Sequence, residues 1–515
     1  MSDSVFFTPS RRTLLKFGGV VAGGIALAAC SSSKTADKPS NTAPILTIAT
    51  LVQPTSWDPA QAQEGHFMQF YQAVYDSLLR RLPNGDLAPM LATAYTYNDS
   101  GTELTLKLRA DVTFSDGAKF DAKAVKANME HFKSSTGPQA TTLKAVDSIN
   151  VVDDTTVKLQ LSAPDPSLLI YLSNAAGLMA SPDVLHAESL ATKPVGSGPY
   201  TLDAANTAVD SQYTFLAKSG YWSPELQLFS KVVMRPMTDT TARLNALLTN
   251  QVDAAQLDPK TAPRAISAGF KLNLIKDSGF RGLFLLDRKG ELVPALGDVR
   301  VRQAINYAID GTALLNQLAL GFGTPSQQIF GSSTEAYKPA LNAAYPFNPA
   351  KARQLLADAG YAKGFTIQIG VSNSNQAENA VIKQQLGDVG ITVQYVDVPA
   401  SKNIAELTSG KYPVILFQLA QFNVWTQITS TLSSDALWNP RHSTDATAEK
   451  LITGIRTQAD KAPGLSQELN QYITDQAWFN VWYSADRLYM TNSKVAVTPQ
   501  VAQAAPSIYN YSLFK

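Results

Sequence analysis

"FTIQIGV" (Phe365–Val371) and "ITVQYVDV" (Ile391–Val398) alternate apolar and polar side chains with a period of two, which predicts two strands. The segment between them, from Asn375 to Asp388, is long enough for a helix, and strand, helix, strand in one chain direction makes a parallel crossover. The fold class is therefore α/β. Downstream, "VILFQLA" from Val414 reads as a strand covered on both faces by helices. Upstream, "NPAKARQLLADAGY" is a helix capped by Asn348, with Pro349 at its first position, Leu355 and Leu356 facing inward and Gly360 at its end. "DVRVRQAINYAID" is another, with Asp298 as N-cap and Val301, Ile305, Ala308 and Ile309 on one face. Nearer the N-terminus, "TELTLKLRADVTFSDG" places Leu104, Leu106 and Leu108 on one side of a strand that ends in a turn at Asp116-Gly117. "DAKAVKANMEHF" follows as a helix capped by Asp121, with Val125, Met129 and Phe132 on one face. "TTVKLQL" is again a strand, entered through a turn at Asp153-Asp154.

Cys30 is the only cysteine among 515 residues, which excludes an intrachain disulfide and a CxxC redox or cysteine metal site. It closes "SRRTLLKFGGVVAGGIALAAC", a basic pair, a short apolar run and small residues, the layout of an export signal over residues 1–29. Arg11 and Arg12 resemble a twin-arginine signal, with Leu14 where that pattern usually has Phe. Leu27-Ala28-Ala29-Cys30 resembles a lipobox, in which the cysteine becomes the lipidated first residue and anchors the protein to the membrane. "SSSKTADKPSNTAP" (Ser31–Pro44) is small and polar and reads as a flexible tether, so that residues 30–44 link the anchor to the body.

The full chain is 45% hydrophobic, and the part beyond the tether is long enough for two or more lobes. Removing residues 1–29 takes Arg11, Arg12, Lys16 and Asp3 and changes the formal net charge from +1 to −1. That balance indicates no nucleic-acid partner. No nucleophile elbow, P-loop, zinc motif or dinucleotide loop occurs, so neither an enzyme nor a cofactor is expected. The four histidines, His66, His131, His186 and His442, lack metal-ligand spacing, and no metal site is expected. Gly196 and Gly198 in "VGSGPYTL" read as a tight turn in which glycine tolerates positive φ.

"LTLKLRADVTFSDGAKFDAKAVKANMEHF", "PVGSGPYTL", "DVRVRQAINYAID" and "FNPAKARQLLADAGY", in this order, resemble the signature blocks of the family 5 extracellular solute-binding proteins. This is the oligopeptide, dipeptide and nickel type that feeds ABC importers. The resemblance runs from "SWDPAQ" near Trp57 to "WFNVWYSADRLYM" near Trp482. It implies a periplasmic-binding-protein type II fold whose two lobes close on a solute, with a hinge crossed twice. Residues 45–281 would form lobe I, including an accessory subdomain at about 80–190; 282–486 would form lobe II, and 487–515 would return to lobe I. The implied partners are a small-molecule or peptide-like ligand and ABC permease subunits. The implied state is a monomer, lipid-anchored on the extracytoplasmic face of the cell membrane.

In open α/β sheets ligands sit beyond the carboxyl ends of strands. The residues after "VILFQLA" are Gln421, Phe422, Asn423 and Trp425, amides and aromatics suited to a neutral or mixed-polarity solute. The resemblance adds Trp57, Phe280 and Trp482 to the candidate ligand-binding set, and Arg281 at the hinge as a fork for a ligand carboxylate. For each aromatic, core packing is the alternative; for Arg281, a salt bridge.

Peptide-binding members usually carry an acid near Gln421 that pairs with the ligand's α-amino group. No carboxylate lies between Lys411 and Asp435. An ammonium without a counter-charge is costly to bury, so the sequence favours a non-peptidic, blocked or carboxylate-bearing solute, unless Asp58, Asp287, Asp435 or Asp486 supplies the charge. A nickel chelate and a non-transport role in the cell envelope are the alternative functions.

Overall fold

The computed structural model describes residues 44–372, 376–398 and 402–514. The signal segment, Cys30 and nearly all of the tether lie outside these residues.

Phe365–Ser372 and Ile391–Val398 pair in parallel, from Phe365 opposite Ile391 to Ser372 opposite Val398, and the helix Gln376–Gly387 connects them. Val414–Ala420 joins Phe365–Ser372 in parallel and runs antiparallel to the 15-residue strand Lys271–Leu285. Lys271–Leu285 then pairs along its length with Phe479–Thr491. Beyond that pair the sheet continues through Ala254–Leu257, Ile45–Thr50, Lys231–Pro236, Tyr213–Ala217 and Tyr200–Leu202. A separate sheet has the order Ala92–Tyr97, Glu103–Leu108, Thr156–Leu161, Val146–Asp153. Its strand Glu103–Leu108 buries Leu104, Leu106 and Leu108, and Val125, Met129 and Phe132 of the helix Ala122–Ser134 fill the same core.

The expected caps form as read. Asp121 accepts the N–H of Ala124, Asp298 that of Arg300 and Asn348 that of Lys351. Each satisfies one donor that the first helical turn leaves open.

The two long strands pass from one set of cores to the other. Ile275 and Tyr489 pack with Leu46, Tyr71 and Phe215, whereas Phe280, Leu283, Val481 and Trp482 pack with residues between 280 and 485. The changeover in Lys271–Leu285 falls at an irregularity in its pairing between Ile275 and Gly279, where Asp277 adopts a φ of 52°. Ile508 and Tyr511 bring the C-terminus back to the core of Leu46.

Two local expectations are corrected. Val414–Ala420 is buried at Val414, Ile415, Leu416 and Leu419, but Phe417 is half-buried and Gln418 exposed, so the strand is not covered on both faces along its whole length. That strand opens where it reaches a cavity. Gly196 and Gly198 are absent from the positive-φ positions. A Cβ on Gly196 would lie 2.1 Å from the Val74 carbonyl oxygen, and one on Gly198 2.6 Å from the Tyr75 nitrogen. Close backbone approach, not turn conformation, requires glycine there.

Candidate functional site

The strand Val414–Ala420 runs into Gln421, Phe422 and Asn423, and the helix Val424–Thr431 starts immediately after. Asn423 fixes that start: its Oδ1 accepts the N–H of Thr426 at 3.0 Å and the hydroxyl of Ser167 at 2.9 Å. Ser167 precedes the short helix Leu168–Tyr171, so the cap ties this loop to the wall facing it. The Gln421 N–H donates to the Ser278 carbonyl at 3.1 Å, which seats the loop against the long strand at its irregular stretch.

Gln421, Phe422, Asn423 and Trp425 line one cavity of about 1270 Å³. Glu64, Arg81, Asp165, Tyr171 and Asn174 form the opposite wall, and Thr453, Arg456 and Gln503 also contribute. A smaller cavity of about 650 Å³ surrounds Arg281, Glu378, Asp258 and Arg487.

Trp57, Phe280 and Trp482 line neither cavity. Trp57 meets Tyr71, Tyr213 and Phe215 edge-on, with centroids at 6.1, 6.2 and 6.0 Å. Phe280 stacks on Phe284 at 5.5 Å and Trp482 donates from Nε1 to Asn480 Oδ1 at 2.6 Å. All three are core side chains, at most 5% exposed.

Arg281 faces a protein carboxylate. Its Nε donates to Glu378 Oε1 at 3.0 Å and its Nη2 to Glu378 Oε2, with the pair 8% and 6% exposed. Glu378 lies in the first turn of Gln376–Gly387, where the helix dipole favours an acid. The bidentate geometry foreseen for a ligand is used within the protein.

The four acids considered as counter-charges have structural partners. Asp58 caps Pro59–Gln61 and contacts His131 Nε2 at 3.0 Å. Asp287 accepts the N–H groups of Glu291, Leu292 and Val293. Asp486 accepts the Asp277 N–H at 3.0 Å. Asp435 alone of the four lines the large cavity, and it pairs with Lys144 at 2.9 Å on the exposed rim.

Glu64 is the acid that the sequence reading missed. It lines the large cavity, and burial raises its carboxyl to about 7, against a smaller lowering by the Ala175 N–H and by the charge of Arg81. Its hydrogen bonds, from Asn174 Nδ2 and the Ala175 N–H, are both long at 3.4 Å. Arg81 donates from Nη1 to the Ala502 carbonyl at 3.1 Å, while its buried Nε has no partner. No spacing or motif in "QAQEGHF" marks Glu64, because its place is set by the packing of the turn Gly65–Phe67.

Among the described residues no group of three or more His, Cys, Asp and Glu side chains could hold a metal ion. His66 is held neutral, its imidazole lowered to about 3 by burial and by Arg487 and Arg243.

This arrangement, a cavity between facing walls joined by two long strands and lined by amides, aromatics and a few charges, defines a solute-binding fold. Known proteins agree. The family model for bacterial extracellular solute-binding proteins, family 5, matches residues 86–435. The glutathione-binding protein GsiB of Pectobacterium atrosepticum is 28% identical over 467 residues, 85% of this chain and 88% of that protein. DppA from Helicobacter pylori in complex with the peptide STSA superposes with a TM-score of 0.78 at 20% identity, over 92% of this chain and 98% of that one. NikZ from Campylobacter jejuni in complex with Ni(L-His) superposes at 0.76 and 20% identity, over 91% and 99%. The chain belongs to the family 5 extracellular solute-binding proteins, with the type II periplasmic-binding fold. It is a non-catalytic, extracytoplasmic solute-binding component of an ABC importer.

Proposed function

We propose that this protein captures a peptide-like organic solute in the large cavity and delivers it to its permease. The size and composition of that cavity carry the reading: about 1270 Å³ exceeds the roughly 300–1000 Å³ usual for a single small ligand. Aromatic faces with amide and charged groups suit a chain of several polar units. The similarity to a glutathione-binding protein and to a peptide-bound structure supports the same class.

Lobe I is the part built on the cores of Leu46 and Leu247, and lobe II the part built on those of Leu283 and Phe280, with crossings at 276–279 and 486–487. A solute touching both walls favours the closed form by its extra affinity for that form. Trp425 and Phe422 contribute stacking surface and Gln421 hydrogen bonding. Cys30 carries the lipid anchor, the signal is of twin-arginine type, and the receptor works as a monomer.

Thermal-shift and scattering measurements with tripeptides, glutathione and Ni(L-His) test this. Peptides or glutathione should raise Tm and reduce the radius of gyration. A response to Ni(L-His) alone would contradict the reading.

A further inference from the structure

We propose that the ligand's head group is an amino-acid-type zwitterion, an ammonium and a carboxylate on one carbon, held by Glu64 and Arg81 respectively. This rests on the peptide-like reading above and specifies its substrate.

Three groups in one cavity are incompletely satisfied. Glu64 has only two long hydrogen bonds. Arg81 keeps a buried Nε without a partner. Gln421 is 4% exposed, yet its Oε1 has no partner. Buried polar groups are normally paired, and residues that line a cavity while their polar groups are incompletely satisfied are the ones to which a ligand can supply a partner.

Glu64 and Arg81 lie in one cavity, and although burial dominates, raising the Glu64 carboxyl and lowering the Arg81 guanidinium, each charge partly offsets the other's shift. They nevertheless form no ion pair with each other. A ligand with only an ammonium would place it at Glu64 beside a poorly solvated guanidinium, where repulsion is strong in a low dielectric. A ligand with only a carboxylate would meet Glu64 in the same way. A head carrying both charges avoids both penalties, and a guanidinium matches a carboxylate in shape as well as sign. The acid missing from the loop after Ala420 is therefore supplied from the facing wall.

Calorimetry with the purified protein tests this using three probes. Glutathione carries such a head at its γ-glutamyl end, N-acetylglutathione lacks the ammonium, and trialanine has an amide where the carboxylate would be. Glutathione should bind at least tenfold tighter than either. Glu64→Gln should erase its advantage over N-acetylglutathione, and Arg81→Gln its advantage over trialanine. Glu64→Asp, which keeps the charge, should retain part of the preference. Equal binding of all three probes, or a preference unchanged in Glu64→Gln, would overturn the zwitterion while leaving the peptide-like reading intact. Failure of all three to bind would overturn both.

Discussion

The two walls of the large cavity are built differently. The loop after Val414–Ala420 offers Gln421, Phe422, Asn423 and Trp425 and no charge, whereas the facing wall offers Glu64 and Arg81; Asp435, Glu449 and Arg456 line the cavity away from this loop. An uncharged wall of amides and rings selects by shape and stacking and tolerates varied side chains; a wall with two unpaired opposite charges selects by charge pattern. One cavity can thus be permissive along a ligand and exacting at its end. Trp57, Phe280 and Trp482 line neither wall and are packed in the cores.

The largest effects should come from breaking that packing. Trp57→Ala and Phe280→Ala each remove a fully packed ring and should cost about 3–5 kcal/mol in denaturant unfolding. Arg281→Ala leaves Glu378 buried without its partner and should cost a similar ~3–5 kcal/mol, which the double replacement Arg281→Met with Glu378→Leu should largely restore.

Substitution in the uncharged wall should be smaller and confined to binding. Trp425→Ala should weaken affinity about tenfold, ~1.4 kcal/mol, with little change in Tm, because the ring is only half-buried. A large stability loss with unchanged affinity would place Trp425 with the core aromatics instead. Gln421→Asp would give this wall the acid it lacks and should narrow the discrimination between trialanine and glutathione.

The charged wall should reveal itself through pH. The Glu64 carboxyl is raised from 4.5 to about 7, so its contribution to unliganded stability is full below 4.5 and is lost as pH rises through about 7. Binding an ammonium requires the carboxylate, so affinity for a zwitterionic ligand should rise between pH 6 and 8, roughly the range around that value, with proton release on binding. His66 stays neutral over this range and contributes nothing to the slope. Calorimetry in buffers of different ionisation heat would measure the released proton, and Glu64→Gln should abolish the dependence. The smallest effect should be the helix cap: Asp121→Ala should cost about 1 kcal/mol and leave binding unchanged.

The sequence made the architecture readable where local rules and long-range packing agree. The period-two pattern of "FTIQIGV" and "ITVQYVDV" and the caps at Asp121, Asp298 and Asn348 all reappear in the structure. The cavity loop was readable for a topological reason, since ligands of open α/β sheets sit beyond the carboxyl ends of the strands. The other site residues were not. Trp57, Phe280 and Trp482 share the composition of cleft aromatics but lie inside cores, a distinction set by tertiary contacts and not by residue type. The partner of Arg281 is 97 residues away, on a helix whose sequence carries no sign of the pairing. Glu64 and Arg81 become neighbours only when their turn and strand pack together.

Native mass spectrometry of the purified protein, with its co-purified ligand retained, tests most directly whether the large cavity is the capture site. The expected result is a bound peptide-like mass that Trp425→Ala and Glu64→Gln each diminish while the protein remains folded. A bound mass that persists undiminished in both variants would contradict it.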